Sequence, residues 1–232
     1  MQDRLCGREQ EFAMRVSPPP HKSPIILPNM TEENQFKKWR GQIVESIIRQ
    51  VRYLPLASLD VRSHTAGFQR LWMGNGSLVY VDLECFLEWA TAEYRACSLE
   101  GVLQDKASEL ILNKALAVVR EEQNFTKLAL YKNNVGPSPK SSDIYQEATY
   151  ANHHNYSYQT ARQKEVFHLF KNFIPISLPI SGNGNIYRRG GTFFYTLSQR
   201  APHIVLEEST TTTQDRAIVN NRDEALMSKN PD

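Results

Sequence analysis

The stretch "DRLCGREQEFAMRV" at residues 3–16 alternates with period two and predicts an extended strand. Strand parity puts Leu5, Gly7, Glu9, Glu11 and Ala13 on one face, so two carboxylates stand side by side there. Like charges on a sheet face repel and are costly to bury. Such a pair either points to solvent or flanks a cation held by oxygens. Any fold for this chain must therefore give its first strand one face that is wet or cation-bearing.

The rest of the chain narrows the architecture. "SPPPHKSPIILP" predicts a Pro-rich loop over 17–30. Thr31 is a candidate N-cap for a helix to about Arg52, with Phe36, Trp39, Ile43, Ile47 and Val51 on its apolar side. "GNG" at 74–76 is a turn that launches a strand over 77–85, whose alternate faces are Val79/Val81/Leu83 and Tyr80/Asp82/Glu84. "LEWATAEY" reads as extended. A second helix is expected over 99–121, with Leu103, Ala107, Leu110, Ile111, Ala115 and Val118 facing the core. Leu128–Tyr131 is a further strand, a helix is expected over 160–173, and strands follow near 192–198, 203–208 and 217–225. Strands separated by long connections, with no βαβ rhythm and no repeat, predict an α+β fold with a mainly antiparallel sheet.

Composition excludes several functions. Lys and Arg number 27 against 25 Asp and Glu, a net charge of +2, which gives no electrostatic case for nucleic acid or an acidic membrane. Cys6, Cys85 and Cys97 show no metal-type spacing and predict reduced thiols. The N-terminus lacks a signal-peptide pattern and no apolar run could span a bilayer, so the expectation is a soluble, cytoplasmic protein.

The residues that could carry chemistry are mostly oxygen donors. Glu9 and Glu11 share one face, Tyr80 and Asp82 share another, and Glu88 and Glu93 follow closely. A group of hard oxygens suits Mg²⁺, which keeps waters and substrate phosphates as its other ligands. His153 and His154 are neighbours, so on an extended chain at most one faces a site. Arg188, Arg189, Arg200 and Arg222 lie near strand ends, where arginine either clamps phosphate or is solvated. "SGNGN" lacks a Walker lysine and reads as a turn.

Seven segments in series resemble one family. "GREQEF" is similar to the opening G-x-E-x-E-[FY] strand of the Pup ligase and depupylase family (proteasome accessory factor A), within the glutamine-synthetase-like carboxylate–amine ligases. "NGSLVYVDLECFLEWATAE" resembles its NGARxYxD…PEYxTxE segment. "DKASE", "YKNN", "HHNY", "LSQRAPHI" and "IVNNRDE" resemble DKAGE, YKNN, HENY, LSQRxxxI and IINTRDE in the same order, out to about residue 225.

The resemblance implies a curved antiparallel sheet with flanking helices that holds ATP and Mg²⁺ on its concave face. It implies that the chain is the N-terminal portion of one catalytic domain whose remainder, with a C-terminal domain, is absent. The implied activity is ligation: the C-terminal glutamate side chain of a small disordered Pup-like modifier is phosphorylated, and a target-protein lysine displaces phosphate to form an isopeptide bond for proteasomal degradation. The alternatives are a depupylase or deamidase using the same pocket, and a truncated non-catalytic homologue. "WATAE" and "LSQRAPHI" lean to the ligase branch, whereas the roomy interval between Glu11 and Asp82 leans to the depupylase.

Residue by residue, the resemblance implies Glu9, Tyr80 and Glu88 as Mg²⁺ ligands with Glu11 in support. It implies Asp82 as the catalytic carboxylate, and Thr91, His153, Arg200 and Arg222 around the nucleotide. The chain departs from the pattern at Leu78, where the family carries an ATP-contacting arginine. Further departures are Phe86–Leu87 in place of His–Pro, His154 in place of a glutamate, and Arg8 and Gln10 in the opening motif.

Overall fold

The computed structural model describes residues 5–17, 32–54, 57–63, 69–82, 85–95, 98–132, 135–136, 148–149, 152–157, 162–181, 184–189, 191–198, 204–210 and 217–220. They fall into two compact units: Met1–Pro139 with Thr149–Ser157, and Lys140–Ala148 with Tyr158–Asp232. The Pro-rich stretch after Ser17 and the expected N-cap Thr31 lie outside the described residues.

The first unit runs β1 (Leu5–Ser17), α1 (Glu32–Arg52), β2 (Ala57–Ser63), β3 (Gln69–Met73), β4 (Leu78–Val81), β5 (Leu87–Ala90), β6 (Tyr94–Arg95), α2 (Glu100–Glu122), β7 (Lys127–Tyr131) and β8 (Val135–Gly136). After β9 (Ala148–Thr149), at the boundary between units, it ends with β10 (Asn152–Tyr156). One sheet is ordered β10-β1-β5-β4-β3-β2, with β6 and β7 also pairing β1. Every pairing in it is antiparallel, as the absence of βαβ spacing predicts. β1 is its spine. The N-terminal half of β1 lies between β10 and β5, and Ala13–Ser17 pairs β7.

One face of the sheet is covered by helices. α1 buries Ile43, Val44, Ile47, Ile48 and Val51, the apolar stripe its spacing predicts. These pack with Phe12, Leu71, Val79, Val81, Leu87 and Trp89 from the sheet. The core-facing side of α2 is rotated from the one expected and shares only part of it. Leu103 and Leu110 are 67% and 66% exposed, whereas Ala115 is buried as expected, with Ile111 against the core, and Ser108, Leu112, Leu116 and Val119 join them. α2 is apolar around much of its circumference, so spacing alone leaves its rotation undetermined.

The β3–β4 hairpin is closed by Gly74-Asn75-Gly76. The Gly76 amide donates to the Met73 carbonyl at 2.9 Å, and the Asn75 side chain accepts from the Ser77 amide at 3.0 Å. Gly76 sits at φ +86°, a conformation that strains any residue with a Cβ.

The second unit contains α3 (Gln163–Ser181), β11 (Asn185–Arg189), β12 (Thr192–Thr196), β13 (Leu206–Ser209) and β14 (Ala217–Asn220). β11 and β12 form an antiparallel hairpin, and β13 and β14 pair in parallel. α3 was expected to stop near 173 but continues through Pro175 and Pro179. Its part-buried side, Val166, Phe170 and Ile174, keeps helical spacing up to the first proline. Among the described residues, no helix is long and apolar enough to cross a membrane.

Candidate active site

The face of the sheet turned away from α1 and α2 carries the acidic residues. Glu11 of β1 is in register with Glu88 of β5, and Glu88 with Tyr80 of β4. Directly opposed residues of antiparallel strands project to the same face, about 5 Å apart, so the three form a row across the sheet. A neighbouring row runs His153, Glu9, Ala90, Leu78, Trp72. Strand parity places the two glutamates of β1 on one face, and register brings their partners to them.

Asp82 ends the central arrangement. The strand expected over 77–85 stops at Val81, so Asp82 stands on the turn into β5 rather than within a strand. Its amide donates to the Phe86 carbonyl at 2.9 Å, and its carbonyl accepts from the Cys85 amide at 2.8 Å. Cys85 closes this turn at φ +61°, sparsely populated for a residue with a side chain. The backbone around Asp82 is thereby pinned, which fixes where its side chain leaves the turn.

Two ligand groups result. Oxygens or ring nitrogens of Glu9, Glu88 and His153 lie within 4.8 Å of one another, as do those of Glu11, Asp82 and Glu88. Glu88 belongs to both and is only 4% exposed. Burial, and then the charges of Glu9, Glu11 and Asp82, push its carboxyl up to about 9. The Tyr80 hydroxyl donates to Glu88, which partly offsets the rise. The Tyr80 phenol is itself pushed far up, by burial and then by Glu88 and Glu9. Without a cation this centre holds a proton at neutral pH. Carboxylates and a phenol make a hard-oxygen donor set that fits Mg²⁺. His153 adds one nitrogen: its Nδ1 lies 3.1 Å from a Glu9 oxygen.

Of the adjacent histidines only His153 joins this face; His154 stands opposite Arg8 in register. The Thr91 hydroxyl accepts from the Arg8 amide at 3.0 Å, and the Thr91 amide donates to the Arg8 carbonyl at 2.8 Å. Thr91 thus fastens the end of β5 to β1. Arg200 and Arg222 lie outside the described residues.

Arg8 and Gln10 alternate to the other face of β1, where they build a second polar cluster. Arg8 Nε donates to Asn152 at 2.9 Å, and Asn152 Nδ2 donates to Gln10 at 2.6 Å. Arg8 also reaches Asp105 at 3.5 Å. Lys132 lies 2.7 Å from Asp105 and 2.8 Å from Glu109. Asp105 and Lys132 come from the "DKASE" and "YKNN" segments, so those segments tie β1, α2 and β7 together behind the site.

Sequence reasoning missed Arg70. β3 places it opposite Tyr80, with its guanidinium carbon 5.4 Å from the centre of the Tyr80 ring. The available signal was the alternation of "QRLWM", in which Leu71 and Met73 are buried while Arg70 and Trp72 fall on the other face.

Residues 4–231 match the family model described as Pup-ligase protein. The chain belongs to the Pup-ligase family. The Pup–protein ligase of Renibacterium salmoninarum is 35% identical over 163 residues, 66% of this chain and 32% of that protein. The Pup deamidase/depupylase of Mycolicibacterium smegmatis is 28% identical over an alignment of 245 residues, 95% of this chain and 46% of that protein. The chain therefore spans less than half the length of these relatives. The fold is similar to the solved complex of the prokaryotic ubiquitin-like protein Pup with its ligase PafA. The TM-score is 0.63 and the identity 20%, over 96% of this chain and 38% of that one. Membership of the Pup-ligase family bears out the resemblance carried by the seven segments, and the shared fold bears out the α+β expectation.

Proposed function

We propose that this chain carries the metal- and phosphate-handling sheet of an ATP- and Mg²⁺-dependent ligase. The ligase joins the C-terminal glutamate side chain of a Pup-like modifier to lysines of target proteins. The observation that carries the reading is the convergence of Glu9, Glu11, Asp82 and Glu88 on one face, with Tyr80 donating to Glu88. Four carboxylates gathered around one buried member make physical sense where a divalent cation balances them. Similarity to proteins named Pup–protein ligase supports the same reading.

A carboxylate and an ammonium group do not condense unaided, and ATP with Mg²⁺ would supply the activation by phosphoryl transfer. Glu9, Glu88 and Tyr80 would hold the cation, with Glu11 beside them. His153 would fix the orientation of Glu9 through its Nδ1. Asp82, held on its turn, would accept the proton from the attacking lysine amine, so that the nitrogen lone pair is free to bond. Tyr80 would keep its proton and donate it as a hydrogen bond.

The second reading is a depupylase, favoured by a match to the deamidase/depupylase that spans 95% of this chain, against 66% for the ligase. In that case Asp82 would serve as nucleophile or orient water. One assay separates the readings. The protein is incubated with ATP, Mg²⁺, a modifier ending in glutamate and a lysine-bearing protein, and separately with a preformed conjugate. Mass spectrometry expects the ligase to add the modifier to lysine. Loss of modifier from the conjugate alone would replace the first reading with the second. No change in either mixture rejects both.

A further inference from the structure

The central row of the sheet does not end at Tyr80. Register continues it to Arg70 of β3, and the backbone of β2 sets Arg62 directly opposite Arg70. The side chains of the row therefore read Glu11, Glu88, Tyr80, Arg70: two acids, a phenol and a base. The Arg70 guanidinium lies over the Tyr80 ring, and among the described residues no carboxylate takes its donors in an ion pair. Among the described residues its planar fork of N–H groups is therefore unspent, on the same face as the acidic cluster and next to the tyrosine that bonds Glu88. Leu78 offers this face no charge: it is 1% exposed and packed with Tyr80, Ala90 and Trp72.

We propose that Arg70 is an anion-binding residue of this site, taking phosphate oxygens of a nucleoside polyphosphate whose cation sits among Glu9, Glu11, Asp82 and Glu88. The inference rests on the proposed nucleotide-dependent chemistry and adds a residue to it. The acids at one end of the row would suit a cation, and the Arg70 guanidinium at the other would suit phosphate oxygens. A bidentate guanidinium fits a phosphate better than an ammonium does.

The test is calorimetric titration of the protein with Mg²⁺ and ATP, and separately with AMP, for wild type, Arg70→Met and Arg70→Lys. Arg70→Met is expected to weaken ATP binding by about 10- to 100-fold, as for loss of charge-assisted hydrogen bonds. AMP binding is expected to stay within about twofold, and Arg70→Lys to fall between wild type and Arg70→Met. ATP affinity unchanged in Arg70→Met overturns the assignment and leaves the nucleotide reading standing. Equal weakening of ATP and AMP also overturns it, because the arginine would then act only by supporting the Tyr80 ring. A wild-type protein that binds neither nucleotide overturns both readings.

Discussion

Replacing Glu88 with glutamine isolates the cost of packing four carboxylates together. Glu88 is raised from 4.5 to about 9, chiefly by burial. In the unfolded chain it ionises near its ordinary value. The folded form holds the proton more tightly, so the associated stability is fully present below about pH 4.5 and is lost as pH rises towards about 9. At about 1.4 kcal/mol per pH unit, the wild-type protein gives up roughly 3 kcal/mol between pH 4.5 and pH 7 from this group. Glutamine keeps the shape, accepts from the Tyr80 hydroxyl and does not titrate. In the absence of divalent cations, urea melts from pH 4.5 to 8.5 should show Glu88→Gln gaining about 3 kcal/mol on wild type between pH 4.5 and pH 7. Millimolar Mg²⁺ should narrow the gap, because the cation displaces the Glu88 proton in the wild type and finds a poorer ligand in the variant. Stability curves that run parallel across the whole pH range would refute the argument that Glu88 is buried among like charges.

Asp82→Asn should lower isopeptide formation or cleavage by about 100-fold or more while nucleotide affinity stays within a few fold, measured by conjugate mass and calorimetry. His153→Gln should weaken Mg²⁺ binding by roughly 10-fold, because the nitrogen that holds the Glu9 carboxylate is replaced by a looser amide; a metal titration unchanged from wild type would remove His153 from the site. Asp105→Ala leaves Lys132 and Arg8 facing each other behind β1 and should cost about 1–3 kcal/mol in urea melts; a loss under about 0.3 kcal/mol would mean the cluster is fully solvated.

Much of this architecture can be read from residue types, and the remainder shows where such reading stops. Ile43, Ile47 and Val51 identify the buried side of α1 because polar residues occupy its other sides. α2 carries leucine and valine nearly all round, so Leu103 and Leu110 looked like core but lie in solvent. Parity places Glu9 with Glu11, and Tyr80 with Asp82, on faces of their own strands. Which strands adjoin is a matter of long-range pairing, and local pattern is silent on it. Arg70 was lost for that reason. "QRLWM" is five residues long, bears a charge near its start, and gains meaning only once Tyr80 lies beside it. Arg8 and Gln10 look like drift in a motif, yet their side chains bond Asn152 and Arg8 reaches Asp105, which no spacing rule would suggest.

The position of β1 at the centre of the sheet also governs the order in which the molecule assembles. Its partners on β5 arrive about eighty residues later, and His153 is 144 residues from Glu9. Closing loops of that length precedes any reward from the contacts they bring, and chains dominated by such pairings fold slowly. During synthesis the first strand gains β5, then β6 and β7, but its other edge must wait unpaired until β10 has left the ribosome. Glu9 meets His153 only then, so the proposed cation site is among the last features of the first unit to form. A chain interrupted before Tyr156 would lack that edge of the site, however well its helices had packed.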